Sequence, residues 1–327
     1  MASTQRQRKN RKKQNRIVFL AAALFFVFCC VITAGEAYGW QTPRWADIEA
    51  ALGVAPAPAA TTDGQTEIHF IDVGQADATL IRQNDEYCLI DAGDVGTADQ
   101  LVAYLKSAGV TKLRCVVMTH PHADHIGGMP AVLQNFTVDE FILPDFTKLS
   151  FEPTSSILAS TLQELQKQKQ NGCKVVTAER GQEVAIGDGT LRVLLAGVET
   201  DNTNNLSVCT KFTAGSFSCL FTGDGEAAVE KELLAVEPDL RATLFHAAHH
   251  GSSTSNTAKL LAAVKPSYII ISCGLDNSYG HPHAEILKRF QQSGAAIYRT
   301  DHNGSIVVSV SPGGEITVHP ATESEAA

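Results

Sequence analysis

Between residues 67 and 310 the apolar positions cluster into short runs: IHFIDV, ATLI, YCLID, RCVVM, FIL, LRVLLAG, LSVCTKF, FSCLFTG, YIIISCG and SIVVSV. Runs of this length predict strands. A different period interrupts them. Leu158, Leu162 and Leu165 recur at i, i+4 and i+7 within SSILASTLQELQKQ, which predicts a helix, and residues 98–108 and 283–292 also read as helical. Many strands, several in hairpin succession, with helices between them predict a layered α/β (α+β) sandwich.

The N-terminal pattern is unlike the rest. Residues 17–34, IVFLAAALFFVFCCVITA, are uncharged and mostly apolar, close to the length that spans a bilayer. Residues 1–16 carry seven Lys/Arg and no acid. A basic flank before one apolar span predicts a cytoplasmic tail at 1–16, a transmembrane anchor at 17–34 and the remainder outside the cell membrane. The alternative is a signal segment, cleaved near Gly35-Glu36-Ala37, with the rest secreted. Residues 35–66 have linker composition, 67–320 form the compact domain, and 321–327 are a tail.

Charge narrows the partners. The chain has 327 residues and a formal charge of −9. Without the basic tail, 19 basic residues face 35 acidic ones, about −16. Such a body is a poor non-specific binder of polyanions, because phosphate contacts need Lys and Arg. Of eight cysteines, Cys29 and Cys30 lie in the apolar segment. The other six sit singly in strand-like runs and read as buried thiols; the one bridge considered is Cys209–Cys219 across adjacent strands.

The chemistry is concentrated in histidines. Seven of eleven fall in three motifs: His120, His122 and His125 in THPHADHIGG; His249 and His250 in HHGS; His281 and His283 in YGHPH. Asp124 lies within the first, and Asp224 stands apart in LFTGDGE. Imidazoles with carboxylates suit zinc, with manganese or iron as alternatives. LRCVVMT reads as a buried strand that ends in the ligand loop, and Gly127-Gly128 permit close backbone approach. One tetrahedral site cannot use every donor, whereas two metals can.

These motifs, with FIDVGQADATLI, LIDAG and NNLSVCTKF, resemble the metallo-β-lactamase fold superfamily. Within it they are most similar to the hydrolase domain of the ComEC competence-protein family. The resemblance spans roughly residues 67–310. It implies an αββα sandwich with two zinc ions between its sheets. It further implies that His120, His122 and His250 hold one metal, that Asp124, His125 and His281 hold the other, and that Asp224 bridges them. His249 is then left for the substrate phosphate or proton transfer, although either histidine of HHG can be the ligand. Asp124 is also assigned to catalysis. Asp72 supports the metal loop by orienting imidazoles, Asn205 is a polar contact, and Ser252 stands at a helix start able to bind a phosphate oxygen.

Two departures qualify the resemblance. ComEC proteins carry a multi-helix channel, whereas one hydrophobic segment is present here, so this chain is not expected to be a DNA channel by itself. The wider superfamily also has a histidine between HxHxDH and the later aspartate, and residues 126–223 contain none. That disfavours β-lactam hydrolysis. The function expected is a membrane-anchored extracytoplasmic metal-dependent phosphodiesterase, with DNA as one candidate substrate. The alternatives are cleavage of phosphodiesters or phosphocholine in cell-envelope polymers, and a non-catalytic competence accessory module.

Overall fold

The computed structural model describes residues 65–321. The expected tail at 1–16, the apolar segment at 17–34, nearly all of the 35–66 linker and residues 322–327 lie outside the described residues. Among the described residues, no helix is long and apolar enough to cross a membrane.

Among the described residues, fifteen strands form two sheets. The first contains β1 (Thr66–Phe70), β2 (Thr79–Gln83), β3 (Glu86–Ile90), β4 (Lys112–Val117), β5 (Thr137–Leu143), β6 (Lys174–Thr177), β14 (Ile306–Val310) and β15 (Ile316–Pro320), in the order β15-β14-β1-β2-β3-β4-β5-β6. The second contains β7 (Glu183–Ile186), β8 (Gly189–Ala196), β9 (Val208–Ala214), β10 (Phe217–Phe221), β11 (Leu244–His246), β12 (Tyr268–Ile271) and β13 (Ala296–Arg299), in the order β13-β12-β11-β10-β9-β8-β7. Strands β3 to β6 are parallel neighbours, as are β10 to β13.

Alternation along the strands builds the core. Ile68, Phe70, Ile81, Ile90 and Val117 of the first sheet meet Phe212, Phe221, Leu244 and Ile270 of the second. The opposite face of the second sheet, with Leu220, Phe245, Ile269 and Ile271, is covered by α5 (Ala227–Val236), α6 (Ala258–Val264) and α7 (Ala284–Ser293) through Leu233, Leu260 and Phe290. Burial on both faces explains why YIIISC reads as one apolar run rather than an alternation. Helices α1 (Ala98–Ser107), α3 (Met129–Asn135) and α4 (Ser156–Gln170) pack side by side. Two single-turn helices, α2 (Ala123–Ile126) and α8 (Thr300–Asn303), complete the set.

The layered α/β expectation therefore holds, with local corrections. In α4 the buried stripe runs through Leu158, Thr161, Leu165 and Gln168. Leu162 falls off its edge and is 40% exposed. Gln168 is tolerated inside because its amide donates to Leu133 O and Phe136 O. Cys209 and Cys219 are free, like the other four described cysteines. Cys219 faces the core between the sheets and Cys209 faces the helix layer, so the sheet itself separates them.

Candidate metal centre

The carboxyl ends of the parallel strands β3, β4, β10, β11 and β12 converge at one edge of the sandwich. Open α/β sheets place ligands in this position. After β4 the chain runs through buried His120 to His122, which starts α2. One helical turn then presents Asp124 and His125. Gly127 and Gly128 let α2 press against the loop after β3, since a Cβ on either would run into the backbone of Val95 or Ala92.

Asp91 at the end of β3 organises this loop. It adopts a left-handed φ of 59°. Its carboxylate accepts from Thr119 N at 2.9 Å and Thr119 Oγ1 at 2.6 Å, and lies 2.7 Å from His125 Nδ1. Thr119 Oγ1 is also 3.1 Å from His120 Nδ1. One buried carboxylate thus orients two imidazoles, and both present Nε2 to Asp224. His125 Nε2 lies 3.2 Å from Asp224 Oδ1, and His120 Nε2 lies 3.9 Å from Asp224 Oδ2. His122 Nδ1 sits 3.0 Å from His120 Nε2.

The second sheet supplies Asp224 after β10, and His249 and His250 after β11. An extended strand end would point these two histidines apart. Instead both are left-handed, with φ of 51° and 54°. Their imidazoles face the same carboxylate: His249 Nε2 is 3.6 Å and His250 Nε2 is 3.8 Å from Asp224 Oδ2. Consecutive left-handed non-glycine residues are strained and must be held by their surroundings. Asn256 does this. Its side chain accepts from Ala248 N and donates to Ala248 O and Ser252 O. Buried Glu230 of α5 accepts from Asn256 N and Thr257 N in turn.

Charge is balanced around Asp224. Burial works against its carboxylate, yet His125, His250 and His120 hold it well below the usual range. Burial also opposes charge on His250, but Asp224, Asp77 and Asp124 push it up to about 9. Burial, with His125 beside it, keeps His120 well below the ordinary imidazole value. Burial, then His250, His249 and His283, bring His281 down to about 4.

Donor atoms of Asp124, His125, Asp224 and His250 all lie within 4.8 Å of one another. Of these atoms, buried His125 Nε2, Asp224 Oδ1 and His250 Nε2 lack a hydrogen-bond partner. Buried polar atoms are normally paired, so unpaired donors converging on one space fit a cation. Asp124, Asp224 and His250 border a cavity of about 330 Å³ that is also lined by Gln75, His122, Asn204, His249, Tyr279 and His281.

Several expectations change. The expected split grouped His250 with His120 and His122, and His281 with Asp124 and His125. The distances instead gather His250 with Asp124, 3.4 Å away, and with His125 and Asp224. His281 stands on the cavity rim, its ring 6.2 Å from that of His250 and its Nδ1 3.3 Å from Gln75 Nε2. The Asp72 carboxylate accepts from Gly74 N and shapes its own turn; the carboxylate against the His125 imidazole is that of Asp91. Asn205 turns its amide oxygen to Glu226 N, and its neighbour Asn204 lines the cavity. Ser252 does not open a helix. It lies in a turn, and α6 begins later, capped by Thr257. Asp224 is followed by Glu226 as the cap of α5, so it is not itself the N-cap.

Asp91 and Asp77 carried no assigned role. Asp91, in the quoted motif LIDAG, directly follows an apolar run, which is the available signal; Asp77, in FIDVGQAD, follows Gly74-Gln75-Ala76 and has none. Asp77 is buried behind His250, 3.7 Å from its Nδ1 and 3.5 Å from His246 Nε2.

This fold and donor set define a class. The chain belongs to the metallo-beta-lactamase superfamily, whose family model matches residues 71–274. It is similar to ComE operon protein 3 of Bacillus subtilis (26% identity; 76% of this chain, 33% of that one). It is also similar to competence protein ComA of Neisseria gonorrhoeae (29% identity; 83% of this chain, 36% of that one). The chain thus spans about a third of the length of these curated relatives. Among solved structures, it resembles the metallo-beta-lactamase fold protein YhfI from Bacillus subtilis at 12% identity and a TM-score of 0.48, covering 72% of this chain and 96% of that one.

Proposed function

We propose that this protein is a metal-dependent phosphodiesterase, anchored in the cell membrane by residues 17–34 with its catalytic domain outside the cytoplasm, and that DNA is among its substrates. The observation that carries the reading is the cluster of donor atoms from Asp124, His125, Asp224 and His250, of which His125 Nε2, Asp224 Oδ1 and His250 Nε2 are buried without a hydrogen-bond partner, beside an open cavity lined by Asp124, Asp224 and His250. Asp124, His125 and His250 would hold one zinc-type cation, and His120 and His122 would hold the second. Asp224 would contribute to both, since its Oδ1 faces His125 and its Oδ2 faces His120 and His250. Cations there supply the Lewis acidity that activates a water nucleophile near neutral pH.

The chain's own residues do the rest. Asp91 and Thr119 fix the imidazole orientations from behind. His249 hydrogen-bonds Thr254 Oγ1 through Nδ1, which leaves Nε2 on the cavity wall to meet a phosphate oxygen or pass a proton to the leaving group. The similarity to a competence protein of Neisseria gonorrhoeae supports a link to competence.

Metal analysis and turnover of a generic phosphodiester test the reading together. The wild type is expected to hold about two zinc-type ions per chain. Asp224→Ala is expected to lose metal and activity together. Full turnover without metal, or an Asp224→Ala protein that keeps both metal and activity, refutes it.

A further inference from the structure

The rim of the cavity carries an exposed aromatic ring beside the candidate ligands. Tyr279 is 67% exposed, yet its ring lines the same cavity as Asp224 and His249. It lies stacked on His281, with centroids 5.6 Å apart and planes inclined by 23°. The His281 ring is 5.5 Å from that of His249. A row of rings therefore leads from the solvent-exposed mouth to the site.

The loop that presents Tyr279 is built to hold it. Asn277 accepts from Tyr279 N at 3.2 Å and from His281 N at 3.0 Å, and donates to Gly274 O at 2.9 Å and His281 O at 2.5 Å. Gly274 N donates to Gln75 Oε1 at 2.9 Å. Leu275 on the same loop is also exposed. A loop tied at this many points presents a ring already in place, which reduces the ordering cost of binding.

We propose that Tyr279, stacked on His281, is a platform for a nucleobase next to the scissile phosphate, so that the substrate is a single-stranded nucleic acid. This rests on the phosphodiesterase reading above and selects among its substrates. Among phosphodiesters, a planar ring flanking the phosphate is what nucleotides have and polyol-phosphate polymers of the cell envelope lack. Among the described residues, no Lys or Arg lines the cavity, so contact with a base is the source of affinity there. Aromatic stacking is sequence-tolerant because every base has a π-face.

Binding by the full, zinc-loaded chain tests this without requiring turnover. The probes are a short oligothymidylate, an abasic strand of equal length, and a glycerol phosphate polymer. Tyr279→Ala is expected to weaken oligothymidylate binding by about tenfold or more, the scale of one lost base stack. Tyr279→Phe should retain the affinity, and neither change should alter binding of the abasic strand. Wild-type affinity in Tyr279→Ala overturns the platform. So does wild-type protein that fails to bind oligothymidylate, or that binds the abasic strand or the glycerol polymer as tightly. Hydrolysis of the same strand is followed in parallel. Tyr279-dependent binding without turnover supports the platform and refutes the hydrolytic reading, so the two fail separately.

Discussion

Asp91 Oδ2 lies 2.7 Å from His125 Nδ1, although the two residues are 34 positions apart and come from different strand ends. Through Thr119, the same carboxylate also reaches His120. Removing a group that orients metal-binding imidazoles costs about 10- to 100-fold in metal affinity. Asp91→Ala should therefore weaken zinc binding on that scale, measured by competition with a chelator, while Asp72→Ala should change it far less. Equal effects would return the orienting role to Asp72.

The grouping of His250 with Asp124, His125 and Asp224 makes a second prediction. His250→Ala should lower metal content, read by elemental analysis of the purified protein. His281→Ala should leave metal content intact. His249→Ala should also keep the metals but slow phosphodiester turnover by about 100-fold or more, as expected for a lost general acid or oxyanion donor. Metal loss in His281→Ala with full occupancy in His250→Ala would restore the split implied by the family resemblance.

His250 also predicts a pH dependence. In the metal-free protein its value stands at about 9, against an ordinary 6.5, because of Asp224, Asp77 and Asp124. An imidazole raised by folding contributes stability that is complete below about 6.5 and is lost as pH climbs through about 9. The melting temperature of chelated protein should fall across that window, and less so in His250→Gln. Zinc competes with the same proton, so apparent zinc affinity should rise over the same range. A flat affinity profile would show that His250 does not carry the proton displaced by metal.

Topology is testable independently of chemistry. Seven basic residues precede a single apolar run, which predicts the domain outside the cytoplasmic membrane. Protease added to intact spheroplasts should degrade it while a cytoplasmic control survives. Protection equal to the control reverses the orientation.

The ligand types and the fold class were legible because their signals are local. HPHADH packs donors into six residues after an apolar strand, and the alternation of short apolar runs with helical periods requires layers whatever their order. His283 at the start of α7 and the helix from residue 98 follow from the same short-range patterns. Leu162 shows the limit. Its spacing fits a helix, but whether 40° beyond the stripe is inside or outside depends on what packs there.

The sequence by itself determined the donor inventory, the strand-rich layered fold and the likeness to a metal-dependent family, since each is a property of residues near one another in the chain. Only the tertiary structure decided which donors share a space. Asp91 and Asp72 both follow apolar strands, but strand pairing brings β3 alongside β4 and so puts Asp91 against the metal loop. His249 and His250 would diverge from an extended strand, but Asn256 and Glu230 hold both in left-handed conformations and turn both rings inward. Asn256 is close by in the chain, but Glu230, which holds it, sits 26 positions earlier on α5, and no local pattern at HHG records that contact.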